Sequence, residues 1–148
     1  MKEWPEVTIY QNDISPHCRT VLMVIKELGL NVTFLEINLA KKEHLSEEFL
    51  KINPLHTIPV MEERGYVLMD SHAISCYIID DLSDYDYSLY PKDLQVRALV
   101  NQYLMIEAAT LFPLVKHTIV SNSLFVYIPR RVGKFICCMS DFSHLIVI

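Results

Sequence analysis

Ser15-Pro16-His17-Cys18 stand where a short strand gives way to a helix. Dithiol exchange needs a thiolate at the first, exposed position of such a turn, and that position holds Ser15, so two-cysteine chemistry is excluded. A serine hydroxyl can donate one hydrogen bond, and a helix N-terminus adds unpaired N–H groups and about half a positive charge. These residues predict a site for an anion, and a thiolate brought by a substrate would fit. The alternative is that Ser15 only caps the helix.

A second candidate segment is NPLHTIPV at residues 53–60. The Ile58-Pro59 pair directly before a strand favours a cis peptide bond, which turns the backbone of Ile58 outward. An outward N–H and C=O can pair with an extended peptide, as a sheet edge does. A trans proline at an edge strand is the alternative.

The third candidate segment is Asp70-Ser71-His72, at the start of another predicted helix. Its free N–H groups and hydroxyl can hold a carboxylate, while Asp70 can pair with an ammonium group. An ordinary Asp/Ser cap is the alternative. Together the three segments describe a site for a peptide that has free α-amino and α-carboxylate groups at one end and a thiol in the middle. That peptide is glutathione.

The elements that must position these segments alternate between strand and helix. Residues 7–10 (VTIY) predict a strand, apolar residues at helical spacing from Cys18 to Leu28 predict a helix ended by Gly29, and residues 32–37 predict a second strand. A strand, a helix and a strand in about thirty residues predict parallel strands with a right-handed crossover.

The next part of the chain predicts a hairpin and a helix. A short helix is expected around residues 47–50, and residues 57–61 and 66–69 flank the turn EERG, which predicts antiparallel strands. A helix follows from Asp70-Ser71 to about Leu82. The predicted fold class is therefore α/β, with a βαβ unit followed by ββα, and a long amphipathic helix follows over residues 93–115.

Composition removes several classes of function. The 148 residues carry a net charge of −5, which disfavours nucleic-acid binding, and three glycines cannot form a Walker loop or a GxGxxG motif. No signal peptide and no run of about 18 apolar residues is found, which predicts a protein without a membrane segment. The four cysteines lack disulfide-framework or zinc-site spacing, so free thiols in the cytoplasm and no metal are expected.

Residues 7–116 resemble cytosolic glutathione transferases, most closely the insect delta and epsilon classes. The resemblance rests on SPHCRTV at 15–21, LGL at 28–30, EHLSEEFLKINPLHTIPV at 43–60, DSHAISCYI at 70–78 and SLYPKD at 88–93. It implies a thioredoxin-like glutathione-binding domain over residues 1–83, a linker over 84–92, and the first helix of an all-helical domain over 93–116. Residues 117–148 do not resemble the family.

The resemblance also assigns roles to residues. Ser15 would stabilise the glutathione thiolate, and the remaining glutathione-binding positions are His44, His56, Thr57, Ile58, Pro59, Asp70, Ser71 and His72. Both histidines His44 and His56 would lie near the glycyl end, Ile58 would pair with the cysteinyl unit, and the acidic-Ser-His triplet would hold the γ-glutamyl end. Many relatives carry Glu at the position of Asp70. An electrophile pocket would involve Ile106, Leu111 and Phe112, for which core packing is the alternative.

The function that follows is conjugation of the glutathione thiolate to electrophilic small molecules, as in detoxification. A glutathione-binding or interaction module without catalysis is the alternative, and an unstable fragment is a third. The net charge changes from −7 over residues 1–116 (ten basic, seventeen acidic) to +2 over 117–148 (three basic, one acidic). We therefore expect a truncated or alternative product whose tail is not family sequence, for example one read from an intron. The resemblance further implies a homodimer, although the shortened second domain would remove part of its interface.

Overall fold

The computed structural model describes residues 2–82 and 89–122, with side chains over residues 6–81 and 89–118. Most of the predicted linker, the predicted tail beyond residue 122 and the Cys137-Cys138 pair lie outside the described residues. The chain divides into two compact units, Met1–Tyr87 and Ser88–Ile148. The elements of the first unit are β1 (Lys2–Gln11), α1 (Pro16–Glu27), β2 (Leu30–Glu36), a single 3-10 turn (Glu43–Leu45), α2 (Glu47–Ile52), β3 (Val60–Glu63), β4 (Tyr66–Met69) and α3 (Ser71–Tyr77), which widens into a π-helical turn (Ile78–Leu82).

A four-stranded mixed sheet with the order β2-β1-β3-β4 forms the first unit. The β1 and β2 strands are parallel, as the strand–helix–strand pattern predicted, and β3 pairs antiparallel with both β1 and β4. The α/β class and the order of elements are confirmed. The β1 strand is longer than the predicted 7–10, because it also pairs with β2 beyond that range: Lys2 and Glu3 pair with Leu30 and Asn31, and Gln11 pairs with Glu36.

The core of this unit lies where the two central strands meet helices α1 and α3. Its fully buried side chains include Val7 and Ile9 from β1, Val60 and Met61 from β3, and the helical residues Cys18, Val21, Ile74 and Ile78. Burial of one such side chain contributes about 1.5–3 kcal/mol, so this cluster makes a large contribution to the packing of the sheet and its helices.

The β3–β4 connection is tighter than the sequence predicted. Glu62 and Glu63 were expected in the turn, but they remain in β3 and pair with Thr8 and Val7 of β1. Only Arg64 and Gly65 form the turn, with φ of 49° and 84°. Positive φ at both positions is the signature of a two-residue turn whose twist matches that of the flanking strands.

Helix α4 (Leu94–Ile106) begins the helical part of the second unit, and α5 (Phe112–Asn122) continues it after a wider five-residue turn at Glu107–Leu111. The predicted helix was uninterrupted. Pro113 explains the difference, because a proline in the helix interior lacks the N–H that the ladder needs and displaces the preceding turn. The helix also passes the predicted end near residue 116, so residues 117–122 of the predicted tail continue it.

The segment before α4 is fixed by Arg97. Its guanidinium donates to the backbone oxygens of Pro91 and Tyr90 at 2.6 and 3.2 Å and stacks 4.2 Å from the centre of the Tyr90 ring. Asp93 caps the helix by accepting from the N–H groups of Gln95 and Val96, both at 3.0 Å. These contacts define where the helix begins.

One helical run, Leu94–Thr118, is 25 residues long and apolar enough to cross a membrane by length and composition. The sequence criterion of consecutive apolar residues did not select it, because polar residues interrupt the run. Length and composition alone do not separate such a helix from the core helix of a helical domain.

Candidate functional site

The register of the sheet brings the three candidate segments to one edge. Tyr10 of β1 pairs with Val60 of β3, and Val60 pairs with Met69 of β4. The loop after β1, the loop before β3 and the start of α3 after β4 therefore leave the sheet at the same side. The β2 strand ends there as well, because its Glu36 pairs with Gln11. This edge carries the segments that contain Ser15, His44, residues 56–59 and residues 70–72.

A buried asparagine shapes the loop that carries Ser15. The Asn12 side chain accepts from the N–H of Ile14 at 3.0 Å and donates to the carbonyl of Ile37 at 3.0 Å. Its backbone carbonyl accepts from the N–H of Ser15 at 2.9 Å. The Asn12 side chain thus forms an Asx turn and connects the loop to the segment after β2. Sequence analysis did not select Asn12, although an asparagine two residues before Ile14 at a strand end is a signal for such a turn.

Ser15 caps α1 through a lone pair of its hydroxyl oxygen. Its Oγ accepts from the N–H of Cys18 at 3.4 Å, and Pro16 occupies the first helical position, as predicted. A hydroxyl that accepts through a lone pair still has a proton to donate. The Ser15 residue is 9% exposed, so only a group seated against the helix end can reach it.

Cys18 is fully buried, and burial raises the pKa of its thiol, although a hydrogen bond with Ser15 acts in the opposite direction. A raised pKa keeps the thiol protonated at neutral pH. Cys18 is therefore a small core residue with a poor nucleophile, in agreement with the exclusion of dithiol exchange.

A second buried asparagine organises the loop before β3. Asn53 is fully buried; its side chain donates to the backbone oxygen of Thr57 at 2.8 Å and to the Thr57 hydroxyl at 3.1 Å. It also accepts from the N–H of Leu55 at 2.9 Å. The Ile58–Pro59 peptide bond is cis, as the sequence predicted. This loop follows α2 and delivers residues 56–59 to the site edge.

Two histidines face each other beside that loop. The rings of His44 and His56 have centres 6.5 Å apart, inclined by 53°. The Nδ1 atom of His44 is buried and has no hydrogen-bond partner among the described residues. His56 adopts a φ of 48° and is exposed. The family resemblance implies that both lie near the same end of the ligand, and the structure brings the two rings together.

Asp70 caps α3 in an unusual backbone conformation. Its φ of 77° lies in a region that non-glycine residues rarely adopt, and Asp and Asn tolerate it best. One carboxylate oxygen accepts from the N–H groups of His72 at 2.9 Å and Ala73 at 3.1 Å. The Asp70 side chain is exposed and Ser71, beside it, is 3% exposed. Both hydrogen bonds of the cap thus use the same carboxylate oxygen.

A contact that the sequence did not reveal connects α1 to α3. Ser71 Oγ lies 3.4 Å from His17 Nδ1. His17 is half-buried. No local pattern signals this pair, because the two residues are 54 positions apart and meet only once α1 packs on α3.

The electrophile-pocket candidates all lie in the second unit. Ile106 is 45% and Leu111 41% exposed, and Phe112 is half-buried. Whether these residues line an electrophile pocket or pack in a core stays a prediction. Over residues 2–82 and 89–122, no group of three or more His, Cys, Asp or Glu side chains is placed to hold a metal ion.

The first unit has the βαβ-ββα order of a thioredoxin-like α/β domain. Its capped helix N-terminus, its cis-proline loop and its Asp-Ser cap all lie at one edge of the sheet. The sequence profile of the family described as glutathione S-transferase, N-terminal domain matches residues 9–93. The chain therefore belongs to the glutathione S-transferase family.

Individual relatives agree with this assignment. Glutathione S-transferase 1 of Manduca sexta is 43% identical over 108 residues, which cover 72% of this chain and 49% of the relative. An epsilon-class glutathione S-transferase from the housefly, Musca domestica, superposes with a TM-score of 0.74 at 44% identity, over 80% of this chain and 54% of that one. A glutathione transferase homologue from Drosophila mojavensis with bound glutathione superposes with a TM-score of 0.76 at 34% identity, over 94% and 64%. The chain spans about half the length of the curated relatives it matches.

Proposed function

We propose that the protein is a glutathione transferase that conjugates the glutathione thiolate to electrophilic small molecules. The observation that carries this proposal is the position of Ser15. It caps α1 through an Oγ lone pair, retains a proton to donate, and lies at the sheet edge that also carries the other candidate binding segments. The family and the relative with bound glutathione support the choice of ligand.

Each part of glutathione has a chemically suitable partner at this edge. The Ser71 hydroxyl and the N-terminus of α3 suit the γ-glutamyl carboxylate, and the second oxygen of Asp70 suits its ammonium group. The backbone of Ile58, supported by Thr57 and Pro59, suits the extended cysteinyl unit.

The glycyl carboxylate completes the ligand. His44 and His56 suit it. His72, whose Nδ1 lies 3.7 Å from Asp70 Oδ1, belongs instead to the γ-glutamyl end. A buried imidazole nitrogen without a partner, as at His44, costs about 1–3 kcal/mol, which a bound ligand or its water can offset.

The reaction balances as a nucleophilic substitution. The glutathione thiol releases its proton to solvent, and the Ser15 hydroxyl donates a hydrogen bond to the resulting thiolate. The thiolate sulfur forms a bond to the electrophilic carbon, and the leaving group departs with the electron pair of its own bond to that carbon. The products are a thioether, the leaving-group anion and a proton. The role of Ser15 is to raise the thiolate population of the bound ligand.

Two assays on the purified full chain test the proposal. Retention on immobilised glutathione with release by free glutathione tests binding. Turnover of a dinitrophenyl halide, followed by absorbance of the thioether, tests conjugation. Retention with turnover is the expected result, and absence of both would refute the proposal.

A second candidate function is a glutathione-binding module without catalysis. The candidate glutathione-binding residues all lie within residues 2–82, whereas Ile106, Leu111 and Phe112 belong to the other compact unit. Binding can therefore persist without an electrophile pocket. Retention on immobilised glutathione without turnover would select this function.

We further infer that the protein acts in the cytoplasm and forms a homodimer. Cys18 carries a free thiol, which is typical of proteins in a reducing compartment, and the matched relatives are named glutathione S-transferases. Sedimentation of the full chain tests the dimer, and a sedimenting mass near 17.2 kDa would contradict it.

A further inference from the structure

We propose that His17 is a positioning residue for the ligand carboxylate at Ser71. This inference rests on the proposed glutathione site and extends it to a residue of α1. The inference is based on the contact of 3.4 Å between His17 Nδ1 and Ser71 Oγ. That contact connects the first turn of α1, which Ser15 caps, to the first residue of α3.

Burial makes this contact consequential for Ser71. Ser71 is 3% exposed, so its hydroxyl depends on protein partners or a ligand to satisfy it. A separation of 3.4 Å is long for a hydrogen bond between nitrogen and oxygen. Hydrogen bonds in ligand-free sites often are long and shorten in the complex, which leaves room for the ligand to tighten this one.

The direction of the His17–Ser71 hydrogen bond decides whether Ser71 can bind an anion. A serine hydroxyl has a single proton. If Ser71 donates that proton to Nδ1, it has none for a carboxylate. If Nδ1 carries a hydrogen and donates to Ser71 Oγ, the serine proton is available for the ligand. A bound carboxylate therefore selects the form of His17 that is protonated at Nδ1.

Nitrogen NMR of the full chain labelled at histidine tests this directly. The Nδ1 and Nε2 resonances report which nitrogen carries the proton. The measurement is made near pH 8, more than one unit above the ordinary histidine pKa of about 6.5, so that neutral rings dominate. Saturating glutathione should move His17 toward the Nδ1-protonated form, and His117, which is exposed on α5, should not respond. In Ser71→Ala the His17 response should disappear.

Variants of His17 test the consequence for affinity. His17→Ala removes the donor, whereas His17→Asn places an amide donor close to the position of Nδ1. Loss of one hydrogen bond to the site should weaken glutathione binding roughly three- to tenfold in His17→Ala, measured as Kd by calorimetry. His17→Asn should bind within about twofold of the wild type. Lys26→Ala, at the exposed far end of the same helix, is the matched control.

The outcomes separate this inference from the proposed function. An unchanged Nδ1 signal on glutathione binding overturns the role of His17 and leaves the glutathione site standing. A wild-type Kd in folded His17→Ala, or equal weakening in both His17 variants, does the same. Absence of glutathione binding by the wild type overturns both. The NMR experiment needs only the wild-type chain, so a variant that fails to fold does not remove the test.

Discussion

Replacement of Ser15 by alanine should raise the pKa of the bound glutathione thiol while leaving the ligand bound. The Ser15 hydroxyl accepts from the N–H of Cys18, and in the proposed site it donates to the ligand sulfur. Alanine removes both interactions. Loss of the cap should lower the free energy of unfolding, whereas loss of the hydrogen bond to sulfur should raise the pKa of the bound thiol.

The magnitude follows from the charge on the sulfur. A hydrogen bond to a charged group contributes about 1.5–3 kcal/mol, which corresponds to roughly one to two pKa units. A free thiol ionises near pKa ~8.5, and lowering that by two units in the complex needs ~3 kcal/mol, which one such bond plus a helix N-terminus can supply. Turnover below the thiol pKa should therefore fall about 10- to 100-fold in Ser15→Ala, because turnover follows the thiolate population.

The loss of the helix cap is measured with a matched variant. Ser46 caps α2 in the same manner, with its Oγ accepting from the N–H of Phe49 at 3.2 Å. Ser15→Ala and Ser46→Ala should each lower the free energy of unfolding by about 1 kcal/mol. Only Ser15→Ala should change the ultraviolet thiolate titration of the glutathione complex. Ser15→Thr, which retains the hydroxyl, should titrate close to the wild type.

The proposed stabilisation of the thiolate by Ser15 is refuted if glutathione bound to Ser15→Ala ionises at the same pH as glutathione bound to the wild type. It is also refuted if the thiol in the wild-type complex ionises no more readily than glutathione in buffer. A fall in turnover accompanied by an equal rise in Kd would remove Ser15 from thiolate stabilisation and give it a role in binding alone.

Three further changes test other parts of the site. Asn53→Ala removes two hydrogen bonds donated to Thr57 and one accepted from Leu55 at a fully buried position. The free energy of unfolding, measured in urea, should therefore fall by about 3 kcal/mol, and a loss below about 1 kcal/mol would contradict this. Asp70→Asn keeps the cap and the tolerance of positive φ but removes the charge, so calorimetry should show a Kd for glutathione roughly three- to tenfold higher with unchanged stability. Buried, protonated Cys18 should resist alkylation at pH 7 in the native protein and react in denaturant, as peptide mass mapping would show; rapid native labelling would count against the assigned burial.

Local chemistry explains why much of the first unit was predictable. Helix α1 carries local signals at both ends. Ser15 is its N-cap and a proline follows at the next position, while Gly29, with a φ of 63°, follows its C-terminus. The parallel pairing of β1 with β2 follows from the connection through α1. The cis bond before Pro59 was open to an alternative in the sequence, and the structure selected the cis form.

The features that the sequence did not predict depend on contacts between residues that are distant in the chain. The hairpin turn was predicted two residues too long, because glutamate is depleted in strands and the pairing of Glu62 and Glu63 with β1 is a tertiary effect. Asn12 and Asn53 each form a local Asx turn, but their importance comes from burial, which a single sequence does not display. The His17–Ser71 contact requires two helices to pack, so no window of sequence contains it.

The alternative roles that the sequence left open at Ser15 and Asp70 are compatible with ligand binding. Both residues do cap helices. A cap uses lone pairs on the side-chain oxygen, whereas holding a thiolate uses a hydroxyl proton and holding an ammonium group uses a second carboxylate oxygen. Capping also orients each side chain toward the helix end, where the partial positive charge of the backbone favours an anion. A serine cap thus positions the proton donor that a bound thiolate needs. Comparison of the Ser15 and Ser46 variants tests whether Ser15 both caps the helix and donates to the thiolate.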